Sequence, residues 1–213
     1  TKIDNVETGK DLTTVYFKLN KKNEVVALIV PEGETNKSAD DVYAVIDGIA
    51  KVTNADKDKV LQLTGYANGA KLDKLTDDNY TSWTAPTLPE LWKIDLKSDG
   101  TIKSRIVIDN TNLAKYGTMM GGKNTTVSGI KNSGQTLILT GSGIRADGTS
   151  GAVNDTVALA KNVTVYRAVI ADNEVDYYAT SDATAITEGN SVYLYETDDD
   201  EDGYDVVIIV NKW

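Results

Sequence analysis

Short runs of alternating apolar and polar residues are the main pattern along this chain. Residues 15–30 (VYFKLNKKNEVVALIV) and 92–107 (WKIDLKSDGTIKSRIV) align without a gap, and the first half of each has an apolar residue at every second position. A period of two indicates a β-strand with one buried face. A polar turn and a second apolar run follow in both segments, and Asp99 with Gly100 is a typical tight-turn pair. Each segment is therefore predicted to form a β-hairpin.

A third segment has the same plan, and the stretches between the hairpins also correspond. Residues 192–210 (VYLYETDDDEDGYDVVIIV) predict a hairpin with a longer turn. VLQLT at 60–64 and TLILT at 136–140 predict short strands, and each follows another candidate strand, at 42–52 and at 117–130. We therefore expect an all-β fold of two tandem small antiparallel β-barrel or sandwich domains, each closed by a β-hairpin.

A polar interruption marks the predicted domain boundary. The sequence DNTN at 109–112 breaks the apolar pattern, so the first domain is expected to cover residues 1–109 and the second residues 110–213. Residues 1–35 belong either to the first domain or to the end of a preceding unit. Near the start of the second domain, GTMMGGKN lacks the Lys-Ser/Thr of a phosphate-binding loop, and its glycines predict a flexible turn.

The charge and the missing residue types narrow the possible chemistry. The chain has 213 residues and a net charge of −10, and it contains no Cys and no His. Catalytic triads with histidine, Cys-His pairs and the usual Cys/His zinc sites are therefore excluded. An acidic surface repels phosphate backbones and anionic lipid surfaces, so we expect no nucleic-acid partner. No apolar run approaches the length of a membrane span, so we expect no membrane insertion.

The turn of the third hairpin holds the densest cluster of carboxylates. Asp198, Asp200 and Asp202 with Gly203 match the start of an EF-hand calcium loop, in which alternate carboxylates converge on one cation. The ninth and twelfth positions of that loop, Val206 and Ile209, are apolar here, and Asp205 offers a further carboxylate ligand. The cluster is either a weak calcium site, with a dissociation constant on the order of 10⁻⁴–10⁻³ M, or a solvated turn without a metal. No other cofactor is expected.

Two further kinds of site follow from the residue types. Trp83, in the Pro-bearing stretch YTSWTAPTLPELW, is the candidate for an exposed aromatic ring that stacks on a carbohydrate, with ordinary loop packing as the alternative. Glu90, Asp95, Glu188 and Glu196 are candidate carboxylates for glycoside hydrolysis, but no spacing selects a pair among them. We therefore expect no enzymatic activity.

The closing pattern resembles a class of bacterial surface protein. A Val-Tyr-rich strand, an acidic Asp/Gly turn and DVVIIV, within residues 158–213, are similar to the repeated β domains that accompany S-layer homology modules in Gram-positive surface proteins, and residues 42–107 resemble them less closely. The resemblance implies secretion to the cell envelope and a structural or spacer role. The implied partners are cell-wall or surface-layer components, with self-association in an assembled layer. The alternative is a carbohydrate- or ligand-binding β module that uses Trp83.

Overall fold

The protein is built from β-strands and short turns, which confirms the predicted all-β class. The computed structural model describes residues 16–19, 25–29, 42–77, 82–97, 99–109, 118–172, 174–179, 183–197 and 203–210. The strands before residue 110 are β1 (Tyr16–Leu19), β2 (Val25–Ile29), β3 (Val42–Thr53), β4 (Lys59–Ala67), β5 (Ala70–Leu75), β6 (Leu91–Leu96) and β7 (Ile102–Ile108). The later strands are β8 (Thr118–Lys131), β9 (Thr136–Ile144), β10 (Ser150–Ala171), β11 (Glu174–Ala179), β12 (Ser191–Glu196) and β13 (Tyr204–Val210). Two single-turn 3-10 helices lie at Asn132–Gly134 and Ala183–Ala185. Within these residues no helix has the length and apolar character needed to cross a membrane.

The three repeated segments form the predicted hairpins. β1 pairs with β2 so that Tyr16 lies opposite Ile29, and β6 pairs with β7 so that Lys93 lies opposite Ile106, which are the aligned positions. Both hairpins shift register just before the last residue of their first strand. β12 and β13 pair in the same antiparallel way. The alignment found in the sequence is therefore a correspondence of backbone pairing, residue for residue, in the first two hairpins.

The first unit, β3 to β7, is an antiparallel sheet in the order β5-β4-β3-β6-β7. Three hairpin-linked strands are followed by one that returns beside the first, which is a Greek-key arrangement. The two edges then approach each other. Thr76, just after β5, makes a parallel bridge with Ile102, and the Asp77 N–H donates to the Ile102 carbonyl at 2.9 Å. The Lys97 ammonium lies 2.5 Å from the Asp77 carboxylate at the same seam. The sheet thus curls into a barrel closed by one bridge.

The second unit, β8 to β13, is a sheet that closes fully on itself. Its sheet runs β11-β10-β13-β12-β8-β9, and β9 also pairs with β10. The 22-residue β10 allows this closure because its first part pairs with β9 and its later part pairs with β13. Ser150 to Ala158 pair antiparallel with β9, whereas Leu159 to Ala168 run parallel to β13. β11 then pairs antiparallel with the last part of β10, from Tyr166 to Ala171.

The fold therefore has the two tandem small β units that the sequence predicts, with two differences in detail. The β10–β13 pair is parallel, so the second sheet is mixed rather than purely antiparallel. The flexible turn predicted at GTMMGGKN is wrong, because residues 118–124 of that stretch lie in β8. Its glycines serve close strand contact: a Cβ on Gly121, at φ 94°, would lie 2.3 Å from the Val192 carbonyl oxygen of β12.

Each unit has its own apolar core. The core of the first unit is Ala44, Ile46, Leu61, Leu63, Leu72, Trp92, Ile94 and Ile102. The core of the second unit includes Met120, Val127, Leu137, Leu139, Val153, Leu159, Val165, Val192, Leu194, Val207 and Ile209. The two sheets divide the chain between Ile108 and Thr118, and residues 110–117 lie outside the described part. The domain limits at 109 and 110 stay a prediction.

Candidate functional site

The two units meet through a third buried apolar cluster, here called the junction. Its members are Val45, Leu91 and Ile108 from the first unit, and Tyr166, Ala168, Val175, Tyr177, Tyr193, Tyr195, Val206, Ile208 and Val210 from the second. β12 illustrates how it forms: Val192 and Leu194 belong to the barrel core, while Tyr193 and Tyr195 between them belong to the junction. A strand buried on both faces needs a continuous apolar run, and the third hairpin has one.

Two tyrosine hydroxyls bond the second unit to backbone groups of the first. The Tyr166 hydroxyl accepts from the Gly69 N–H at 3.1 Å. The Tyr177 hydroxyl accepts from the Glu90 N–H at 2.9 Å and donates to the Glu90 carbonyl at 3.4 Å. Burial raises the pKa of Tyr177, and the bond from Glu90 offsets part of that rise. The Tyr177 contact provides a partner for the half-buried backbone of Glu90 at the junction.

Trp83 packs against the first unit. It is half-buried beside that unit's core and meets Trp92 edge-on, with ring centroids 6.3 Å apart. The Arg105 guanidinium lies 3.7 Å from the Trp92 centroid and 4.9 Å from that of Trp83, which are cation–π distances. Burial lowers the pKa of Arg105, and the charge of Glu90 partly opposes this. Trp83 therefore holds its loop onto the sheet, and carbohydrate stacking on it stays a prediction.

The acidic turn is described only at its ends. Asp198, Asp200 and Asp202 lie outside the described residues, so the calcium site stays a prediction. Asp205 is engaged in hairpin closure: its carboxylate accepts from the Thr197 N–H at 2.8 Å and also from the Thr197 hydroxyl. Across the described residues, no group of three or more Asp, Glu, His or Cys side chains is placed to hold a metal ion.

Three of the four candidate catalytic carboxylates have separate partners in the described part of the chain. Glu90 accepts from the Trp92 indole N–H at 2.9 Å, and Asp95 lies 3.5 Å from the Lys103 ammonium. Glu196 accepts from the Thr118 hydroxyl at 3.1 Å in the second unit. Glu188 is exposed near the turn before β12. Two of these carboxylates, Glu90 and Asp95, therefore lie in the first unit, and the other two lie in the second.

Two surface clefts lie between the two units. The first, here called the glycine cleft, has a volume of about 530 Å³ and lies between loop 82–90 of the first unit and the second barrel. The second, of similar volume, has a polar lining that includes Asn68, Ser133, Lys161 and Asn162, and it also lies between the units. No Asp or Glu of the described chain lines either cleft.

The sequence reasoning missed the junction and the glycine cleft. The uninterrupted apolar run DVVIIV was a signal for the junction, because alternation is lost when both faces of a strand are buried. The glycines of β8 predict a flexible turn in the sequence, whereas the structure places Gly121 and Gly122 within a strand. Which loops and strands meet at a cleft depends on long-range pairing that local patterns do not contain.

Comparisons with known proteins give no relative from which a function could be transferred. The chain matches no protein-family model, no curated protein and no solved structure. Its function has to be inferred from the junction, the clefts and the repeated barrel architecture.

Proposed function

We propose that this chain is a non-enzymatic structural segment of a bacterial surface protein of the S-layer type, located extracellularly in the cell envelope. In this role the two barrels act as one rigid spacer rather than as two domains that move independently on a flexible linker. Cell-wall or surface-layer components, and other copies of the chain in an assembled layer, are its partners.

The buried junction is the observation that carries this proposal. Linked domains move relative to each other unless their interface is large and apolar. Here three side chains of the first unit and nine of the second are buried together. The Tyr166–Gly69 and Tyr177–Glu90 hydrogen bonds add directional contacts at two separate places. An interface of this kind transmits force and orientation between the barrels, which is the property a spacer needs.

NMR relaxation tests the rigidity directly. In the native protein, amides of β3–β7 and of β8–β13 should report one common rotational correlation time, as expected for a single particle of 23.0 kDa. Val206→Lys places a charge in the junction and should give the units separate, shorter correlation times. Thr156→Lys, on the exposed face of β10, is the matched control and should change nothing. Independent tumbling of the units in the native protein would contradict the spacer role.

Antibody labelling tests the location. Antibodies raised against the purified chain should label intact cells of its source organism. Labelling that requires permeabilised cells would contradict a surface location.

A further inference from the structure

The floor of the glycine cleft contains four glycines. Gly121, Gly122, Gly143 and Gly151 line it on three neighbouring strands, β8, β9 and β10. Two of these positions require glycine. A Cβ on Gly121 would lie 2.3 Å from the Val192 carbonyl oxygen, and one on Gly143 would lie 2.4 Å from that of Gly121. Close packing of the strands therefore excludes a side chain at Gly121 and Gly143.

An exposed leucine forms one wall of the cleft. Leu88 is 48% exposed, and among the described residues the other strongly exposed large apolar side chain is Tyr178, at 52%. Pro86 and Pro89, on either side of Leu88, are both buried. Since proline also fixes the backbone φ angle, Leu88 is held in place at the cleft. A rigidly presented apolar side chain beside a concave surface is typical of a contact site.

The remaining lining combines apolar surface with uncharged polar groups. Met119 and Ile144 add apolar contacts, while Asn124, Ser142 and Ser150 are exposed polar residues at the cleft. Lys123 is the single charged side chain among the described lining residues. Mostly apolar walls with a few hydrogen-bonding groups are the usual composition of small-ligand sites.

The pairing of the strands excludes one kind of occupant. Gly121 pairs with Ile144 of β9, Gly122 pairs with Val192 of β12, and Gly143 pairs with Gly151 of β10. A peptide that adds as a β-strand needs a free sheet edge, whereas Gly121 already pairs on both sides, with Tyr193 of β12 and with Ile144 of β9. A polyanion is disfavoured by the net charge of −10. A ligand with one apolar face and several hydroxyl groups matches both the walls and the polar groups.

We infer that the glycine cleft binds a neutral saccharide. A pyranose ring places its C–H face against Leu88 and Met119, and its hydroxyl groups exchange hydrogen bonds with Asn124 and Ser142. This site is separate from Trp83 and does not depend on the spacer role. It would let the segment hold a neutral wall polysaccharide while acting as a structural element.

Titration of the full chain with defined oligosaccharides tests the inference. The probes are cellohexaose, maltohexaose and chitohexaose, with a galacturonic acid hexamer as the acidic arm, each added to about 10 mM, since weak sites have millimolar dissociation constants. At least one neutral hexamer should shift the amide NMR signals of residues 121–124 and 142–144, with the acidic hexamer binding more weakly. Leu88→Ala should weaken that binding roughly fivefold or more, and Ser142→Trp should abolish it by filling the cleft.

Tyr178→Ala is the matched control, because it removes the other exposed large apolar side chain and should leave the affinity unchanged. Melting temperatures close to that of the native chain establish that all three variants fold. The inference is overturned if no neutral hexamer shifts these amides. It is equally overturned if the acidic hexamer binds best, or if binding survives both Leu88→Ala and Ser142→Trp.

Discussion

Removing one hydroxyl at the junction is a sensitive test of how the units hold together. In Tyr177→Phe the ring stays buried and only the hydroxyl is lost. The Glu90 N–H, now 2.9 Å from that hydroxyl, loses its partner, and the Glu90 carbonyl loses a longer contact at 3.4 Å. Water has little access there, because Tyr177 is 2% exposed.

The expected cost follows from the group left unpaired. A buried donor without an acceptor destabilises a protein by about 1–3 kcal/mol. For a protein of this size each kcal/mol lowers the melting temperature by roughly 2–4 °C, so the expected decrease is roughly 2–12 °C. The loss should appear as a lower urea midpoint with little change in its slope, because the surface exposed on unfolding is the same.

The neighbouring residue provides the control. Tyr178→Phe removes the same atom from the next position of β11, where the side chain is 52% exposed, and should change stability by less than about 0.5 kcal/mol. Urea denaturation followed by tyrosine and tryptophan fluorescence measures both variants. If the two have equal stability, the Tyr177–Glu90 contact does not hold the junction.

Three other predictions concern the turns and the buried phenols. Lys57, at φ 70° in the β3–β4 turn, has a conformation suited to glycine, so Lys57→Gly should raise the free energy of unfolding by about 0.5–1 kcal/mol in urea denaturation. Gly100→Lys, at φ 80° in the β6–β7 turn, should lower the free energy of unfolding. A Lys57→Gly variant less stable than the native chain would show that glycine is not preferred at this position. Burial raises the pKa of Tyr204 to about 12. The unfolded phenol ionises near pH 10, so stability should be complete below about pH 10 and fall as the pH rises toward 12. Melting temperatures against pH check this decline, which Tyr204→Phe should reduce. Thr197→Val removes a hydroxyl that donates to Asp205 and should lower the free energy of unfolding by about 1–2 kcal/mol. Amide hydrogen exchange in β12 and β13 should become faster. Unchanged exchange would show that this contact does not hold the hairpin.

Much of the fold could be predicted because its strands carry local signals. Alternation placed one face of β6 in the core, and the Asp99-Gly100 pair fixed the turn that follows. The same turn recurs at residues 145–149, where the Thr149 N–H and hydroxyl both donate to Asp147, as those of Thr101 do to Asp99. Such short-range geometry is determined by neighbouring residues, so a single sequence is enough to predict it.

The closure of each barrel could not be predicted in this way. The Thr76–Ile102 bridge and the parallel β10–β13 pair join residues far apart in sequence, and no local pattern specifies such partners. Trp83 illustrates the same limit for sites. Its Pro-bearing loop suggested an accessible ring, but whether Arg105 stacks on that ring depends on the pairing of β7.

The position of β13 has a consequence for how the protein acquires its structure during synthesis. β13 lies between β10 and β12, although it is the last of the described strands to leave the ribosome. Until it arrives, the second barrel has a gap, and β10 and β12 both present unpaired edges. The first barrel needs only residues up to β7, so it is complete while the second is still open. Folding is therefore sequential, and the second barrel is the slower and more aggregation-prone step because its closing contacts are distant in sequence.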